Sequence, residues 1–336
     1  MLGAFLFGFL ITVGCGGGTP GPGPDPTLTL SCPADLQVQK HAGMPGTATF
    51  ATPAAQGGRP PTNVTCTPAS GSEFPVGSSP VTCNASDQAS HTASCSFSVV
   101  VEAIPQIAKT KFLAFGDSIT QGTTSPAPSL LIYNPADAYP LKLQRLLAAR
   151  YQDQTIVMTN AGKAGEKIDD GRARLSGVLD ANDPQVLLLL HGANDLNIGR
   201  GDAISTIIHG LEDMIGKADR RSITVFLATF PPQNPAGRNG NGANFVPGLN
   251  QKIGALAADE GAILVDLYAG FGGTWVGYIG EDGLHPTAQG YDRMAEIWRD
   301  KIQEVYDRPA PASEELAPMT STRARPQQVA TISQRP

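Results

Sequence analysis

No cysteine follows Cys95 in this 336-residue chain. The long C-terminal part therefore offers neither a disulfide nor a thiolate metal site. H-E-x-x-H, C-x-x-C, a Walker-type loop and a dinucleotide fingerprint are all missing, and the five histidines are scattered. No metal or organic cofactor is expected on these grounds. Positive charge is also in short supply, with 24 Lys and Arg against 30 Asp and Glu and a formal net charge of −6. With no basic run, the footprint of a nucleic-acid partner is absent. Nor does any apolar run reach the roughly 20 residues that a membrane-spanning helix needs.

The longest apolar stretch, Leu2 to Val13, has the length of a signal-peptide h-region instead. It leads into Thr12-Val13-Gly14-Cys15, which resembles a bacterial lipobox, where a small residue precedes the cysteine that receives lipid. That resemblance implies a signal over 1–15, lipidation at Cys15 and a membrane-anchored protein at the periplasm or cell surface. The alternative is an ordinary cleaved signal and secretion, with Cys15 a spare. A Gly/Pro tether, residues 16–26, follows as a flexible spacer would.

Residues 27–103 are rich in Thr, Ser, Pro and Val and show no helical period. Short alternating runs (TLTLSC, TATFAT, NVTCT, PVTCNAS, ASCSFSVVV) between Gly/Pro turns predict a small all-β sandwich. The other four cysteines, Cys32, Cys66, Cys83 and Cys95, all fall here and read as two disulfides formed in an oxidising compartment. The phrases CPADLQV, GGRPPTNVTCTPASGSEFPVGSSPVTC and DQASHTASCSFSVVV resemble a hyalin-repeat (HYR) module, an immunoglobulin-like domain of extracellular proteins. Of the three possible pairings, Cys32–Cys95 would tie the first strand to the last, and Cys66–Cys83 would bridge two strands joined by the SGSEFPVG loop. Those two are the pairings expected.

From about residue 104 the pattern changes. KFLAFGD, TIVMTN, QVLLLLHG, SITVFLATF and AILVDLY read as buried strands. Helical patterns alternate with them at 138–151, 166–180, 202–218 and 245–260, and 285–306 closes the domain near 308. Continuous apolar strands alternating with amphipathic helices predict an α/β domain with a parallel sheet covered on both faces. Residues 309–336 have few large apolar residues and no period, and read as a disordered tail.

In such a sheet, ligands sit beyond the carboxyl ends of the strands. The polar residues there are Gly116-Asp117-Ser118, Asn160-Ala161-Gly162-Lys163-Ala164-Gly165, His191-Gly192-Ala193-Asn194-Asp195, and the Asp282-Gly283-Leu284-His285 turn. A serine hydroxyl becomes a nucleophile when a neighbouring base takes its proton, and histidine is suited to that at neutral pH. A carboxylate on the other ring nitrogen fixes the tautomer. A tetrahedral oxyanion then needs preorganised donors. Ser118, His285 and Asp282 could supply the first set, and the N–H groups of Ser118 and Gly165 with the Asn194 amide the second. Each residue alone has a plainer use: Ser118, Asn194 and Asp195 as helix caps, Asp117 as a backbone acceptor, and His191, which sits at a strand end and could line the site, as a hydrogen-bonded structural histidine. His41, His91 and His209 show no partner pattern. Asp266, at a strand end, is an alternative partner for His285.

Taken in order, FGDSIT, NAGKAG, HGANDL and DGLHP resemble the four blocks of the GDSL/SGNH esterase–lipase family, over residues 110–306. The resemblance implies a flavodoxin-like three-layer α/β/α SGNH hydrolase fold. It also implies Ser118 as nucleophile, Gly165 and Asn194 as oxyanion donors, and Asp282 and His285 completing a triad. Gly162 is the alternative donor glycine. No G-x-S-x-G elbow surrounds Ser118. The expectation is a cofactor-free serine esterase acting on a small-molecule or polysaccharide ester. Residues 123–140 and the Gly/Asn-rich, mobile-looking 231–245 would wall the site, and their polarity leans towards short acyl groups such as acetylated carbohydrate. The rival expectation is a surface adhesion protein whose hydrolase-like domain is silent.

Overall fold

A computed structural model describes residues 26–308. The signal segment, Cys15, the tether before residue 26 and the tail at 309–336 lie outside the described residues. The described chain forms two compact units, one of residues 26–40 and 44–102 and one from Ala103 onward.

The N-terminal unit is β-rich. Its four-stranded sheet runs Leu36–Lys40, Thr92–Ala103, Gly77–Ser86, Asn63–Thr67 in spatial order, and Thr29–Leu30 pairs separately with Ala55–Gln56. Alternate residues of Gly77–Ser86 and Thr92–Ala103 turn inward, as the period of two requires, so Val81, Cys83, Phe97, Val99 and Val101 build the core with Phe74 and Ala48. Cys32 is bonded to Cys95 and Cys66 to Cys83. Cys66 and Cys83 are direct cross-strand partners in the register, which is why their Cα atoms lie only 4.0 Å apart.

The second unit is built on five strands: β1 (Lys111–Gly116), β2 (Val157–Gly162), β3 (Val186–Leu190), β4 (Thr224–Ala228) and β5 (Ile263–Val265). Their spatial order is β2-β1-β3-β4-β5 and every pairing is parallel. This is the doubly wound order in which the sheet's winding reverses between β1 and β3, opening a crevice at their carboxyl ends. Central β3, VLLLL, is buried at every residue, so both faces must be covered; edge strand β2 keeps Val157 exposed. Helices α2 (Tyr139–Arg150) and α8 (Ala288–Tyr306) pack together, with Tyr139 stacked on Trp298 at 5.9 Å; α3 (Ile168–Asn182) packs on α5 (Ile204–Asp219), which meets α6 (Val246–Asp259). In α8 the buried residues Gly290, Tyr291, Met294, Ala295, Trp298 and Ile302 recur at helical spacing, and Thr287 caps its start by accepting from Gly290 N–H.

Two features depart from the sequence reading. Part of 123–140 is an antiparallel hairpin, Thr123–Ala127 with Leu130–Tyr133, whose second strand exposes Leu130, Leu131, Ile132 and Tyr133. Three short helices also went unread: α1 (Ser118–Gln121), α4 (Ala193–Gly199) and α7 (Leu267–Gly270). Each is a single turn or two at a strand's end, too short to show a period.

Candidate active site

The crevice between β1 and β3 is where the sequence blocks meet. Chain leaving β1 turns at Asp117 into α1, so Ser118 is the first helical residue. Asp117 is buried and its carboxylate holds two turns together, with Oδ1 accepting from Ile119 N–H at 3.0 Å and Oδ2 from Ala193 N–H at 3.2 Å. It is a cap and a cross-brace, and it fixes the Ser118 loop against the Asn194 loop.

Asp282 and His285 lie on one tight turn ahead of α8. Asp282 Oδ1 accepts from the Leu284 and His285 N–H groups at 3.1 and 3.0 Å, which winds the turn around its own side chain. Oδ2 accepts from His285 Nδ1 at 2.6 Å and from Asn239 Nδ2 at 2.8 Å. An ionised carboxylate only accepts, so the proton lies on Nδ1 and Nε2 is left as an acceptor. Ser118 Oγ stands 2.8 Å from that Nε2, across 167 residues of sequence. Burial pushes the Asp282 carboxyl up. Hydrogen bonds from His285 and Asn239 and the charge of His285 outweigh it and hold the group at about 2. Asp282 is therefore ionised wherever the protein is folded at ordinary pH. Asp266, the alternative partner, is engaged elsewhere: its Oδ1 caps α7 through Ala269 N–H and accepts from the Thr229 hydroxyl.

The structure separates the two candidate donor glycines. Gly162 N–H already donates to Asn160 Oδ1 at 2.9 Å, and a Cβ there would lie 2.2 Å from Gln121 N on α1. Gly162 thus serves as a seat for α1. Gly165 adopts φ +75°, a conformation glycine takes freely, and a Cβ there would meet nothing within 4 Å. Among the described residues, neither the Gly165 N–H nor the Ser118 N–H at the head of α1 meets a protein acceptor. Asn194, in the first turn of α4, donates one Nδ2 hydrogen to Glu166 O at 2.9 Å and keeps a second.

Nothing in the sequence motifs singles out Glu166. Its side chain is 1% exposed and is bound by Arg174 through Nε–Oε1 at 2.8 Å and Nη2–Oε2 at 2.6 Å, with His191 Nε2 at 3.1 Å from Oε2. Burial raises its carboxyl, and the hydrogen bonds from His191 and Arg174 overturn that and bring it to about 2. The Arg174 guanidinium in turn lies 4.2 Å from the centre of the Phe115 ring. His191 is thus buried in this cluster, and Asp195 supplies the missing cap of α3 by accepting from Ile168 N–H at 2.9 Å. His91 is bound to Asp87 in the β-rich unit, and exposed His209 faces Glu212 at 3.5 Å. Among the described residues, no group of three or more His, Cys, Asp or Glu is placed to hold a metal ion.

The chain is similar to known proteins. The sequence model of the HYR domain matches residues 26–101, and that of the GDSL-like Lipase/Acylhydrolase family matches residues 114–293. Esterase TesA of Pseudomonas aeruginosa is 28% identical over 197 residues, covering 57% of this chain and 88% of that protein. A multidomain esterase of Ruminococcus flavefaciens is 28% identical over 123 residues, 36% of this chain. The match spans only 16% of that esterase's length. The crystal structure of a lipase/acylhydrolase from Enterococcus faecalis superposes with a TM-score of 0.51 at 25% identity, covering 59% of this chain and 97% of that one. The family match takes in Ser118, Gly165, Asn194, Asp282 and His285 and covers more than half of the sequence. This chain belongs to the GDSL-like lipase/acylhydrolase family, and residues 114–293 are a carboxylic ester hydrolase domain.

Proposed function

We propose that the protein is an exported serine esterase that cleaves its ester through an acyl-enzyme on Ser118. The observation that carries this is the Asp282–His285–Ser118 hydrogen-bond chain, 2.6 and 2.8 Å. His285 Nε2 takes the Ser118 proton as Oγ bonds to the substrate carbonyl carbon. The N–H groups of Ser118 and Gly165 and the free Asn194 amide hydrogen receive the oxyanion. The C–O bond to the alcohol then breaks, and His285 returns its proton to the departing oxygen. Water, deprotonated by His285, next attacks the acyl carbon and releases the carboxylic acid and Ser118. Activity falls as the solution is acidified, because a protonated imidazole cannot accept the serine proton.

The substrate end is an ester with a short acyl group, acetylated carbohydrate being the class favoured. Supporting it is the polar, Gly/Asn-rich loop 231–245, which lies against the Asp282 turn. The four exposed apolar residues Leu130–Tyr133 favour a second reading, a longer acyl chain, because the hairpin is joined to that turn through Asp282 N–H and the Ser125 hydroxyl at 3.2 Å. Export is supported by the two disulfides and the HYR domain, and anchoring through Cys15 by the lipobox resemblance. No helix of the described residues is long and apolar enough to cross a membrane.

The test is hydrolysis of p-nitrophenyl esters from acetyl upward by the whole protein, beside Ser118→Ala. Turnover that vanishes with Ser118 and peaks at acetyl is expected, and an optimum at long chains selects the second reading. If the folded protein turns over no ester and an organophosphonate leaves Ser118 unlabelled, the adhesion reading replaces the enzyme.

A further inference from the structure

Loop 231–245 does more than wall the crevice. Its backbone is fastened to the Asp282 turn twice, through Asn239 N–H to Asp282 O at 2.7 Å and Asn234 N–H to Gly283 O at 2.9 Å. The two chains are packed backbone on backbone. A Cβ on Gly237 would stand 2.3 Å from Asp282 C, and one on Gly283 2.4 Å from Asn234 O. The loop is thus held in place without help from the Asn239 side chain. Yet the Asn239 amide reaches Asp282 Oδ2 at 2.8 Å, the same oxygen that holds His285 Nδ1. Of the four donors on this buried carboxylate, three belong to the Asp282–His285 turn itself and only Asn239 comes from elsewhere. The amide orientation is not ambiguous, since a carboxylate accepts only from the NH2 side.

We propose that Asn239 is a positioning residue for His285, acting through Asp282. Its N–H fixes the rotation of the carboxylate so that Oδ2 faces Nδ1, and it shares the charge of that oxygen so that the imidazolium is not over-stabilised. The inference rests on the assignment of Ser118, His285 and Asp282 as the reacting set. A neutral second donor is the chemistry this oxygen needs. With none, the full negative charge of Oδ2 falls on the imidazole and favours its protonated form. With a second carboxylate in its place, that preference grows further. Other ionisable groups around the turn are Asp117 at the head of α1, Tyr139 on α2 and Tyr291 on α8, both phenols kept neutral by burial. Glu281 and Arg238 flank the two loops at exposed positions.

The experiment uses the whole protein as wild type, Asn239→Ala, Asn239→Asp and Ser118→Ala. It follows p-nitrophenyl acetate hydrolysis from pH 4 to 10, with active sites counted by organophosphonate labelling. Asn239→Ala is expected to lower kcat per labelled site about tenfold, a fraction of what acid–base catalysis supplies, with KM little changed. Asn239→Asp has the shape of asparagine and keeps the loop's backbone bonds. It is expected to move the acid limb of kcat/KM upward by about one pH unit, because the added negative charge favours the protonated imidazole of His285. A residue that merely supports the loop would change the number of labelled sites and leave both the limb and the per-site kcat alone. Both variants matching wild type per labelled site and in acid limb, with Ser118→Ala inactive, overturns the inference alone. Turnover that survives Ser118→Ala overturns the assignment beneath it, and the inference with it.

Discussion

Replacing Glu166 with Gln removes one charge from a buried cluster and changes almost nothing in shape. The carboxylate meets a bidentate guanidinium and an imidazole, with its side chain 1% exposed, so Gln leaves Arg174 without a counter-charge and sets an NH2 against the donors of Arg174. Holding the carboxyl at about 2 instead of its usual 4.5 corresponds to about 3 kcal/mol of stability. Breaking one side of a buried ion pair typically costs about 3–5 kcal/mol, which agrees. In a unit of this size, a loss of about 3 kcal/mol lowers Tm by about 6–12 °C. Both tryptophans, Trp275 and Trp298, lie in the hydrolase unit, so their fluorescence follows its unfolding alone. The folded value is depressed, so the stabilisation is complete above about 4.5 and is lost as pH falls towards about 2. By pH 3 about three-fifths of it is gone, and the gap between wild type and Glu166→Gln narrows accordingly. A variant that melts with wild type at pH 8, or a gap as wide at pH 3 as at pH 8, refutes the reasoning.

Two glycines of the second block should respond oppositely to alanine. Gly162→Ala drives a methyl into the backbone of α1 and is expected to cost several kcal/mol, roughly 3 or more, seen as loss of soluble or cooperatively melting protein. Gly165→Ala meets no neighbour and costs about 1–2 kcal/mol through its positive φ alone, so it should fold and can be assayed for a reduced kcat. Reducing the disulfides, which close loops of 63 and 17 residues, removes about 3–4 kcal/mol each from the N-terminal unit on chain-entropy grounds. Far-UV circular dichroism should show that unit melting earlier, while the tryptophan transition and ester turnover stay unchanged.

The periods of the strands and long helices are local properties, written in apolar spacing, and so the α/β plan of the second unit and the β-rich character of the first were legible in the sequence. The Asp282–His285 pair was legible for the same reason, since three residues on one turn bring the two side chains together. The pairing of Cys66 with Cys83 follows from the register of adjacent strands. Contacts between distant parts of the chain carry no local signal. Ser118 and His285, 167 residues apart, were expected to meet because polar residues at the ends of parallel strands converge on one rim and because the four blocks resemble a known family. The meeting of Asn239 with Asp282 across 43 residues was not expected, through a loop whose composition read only as mobile. Glu166 looked like any charged residue beside a glycine, until the fold enclosed it with Arg174 and His191. Gly162 and Gly165 have the same side chain. Only the approach of α1 to one and the positive φ of the other separate a packing seat from a free N–H. Local spacing determined the elements and the order of the blocks. Tertiary contact decided which polar groups are buried, which are already bonded, and which remain free to meet a substrate.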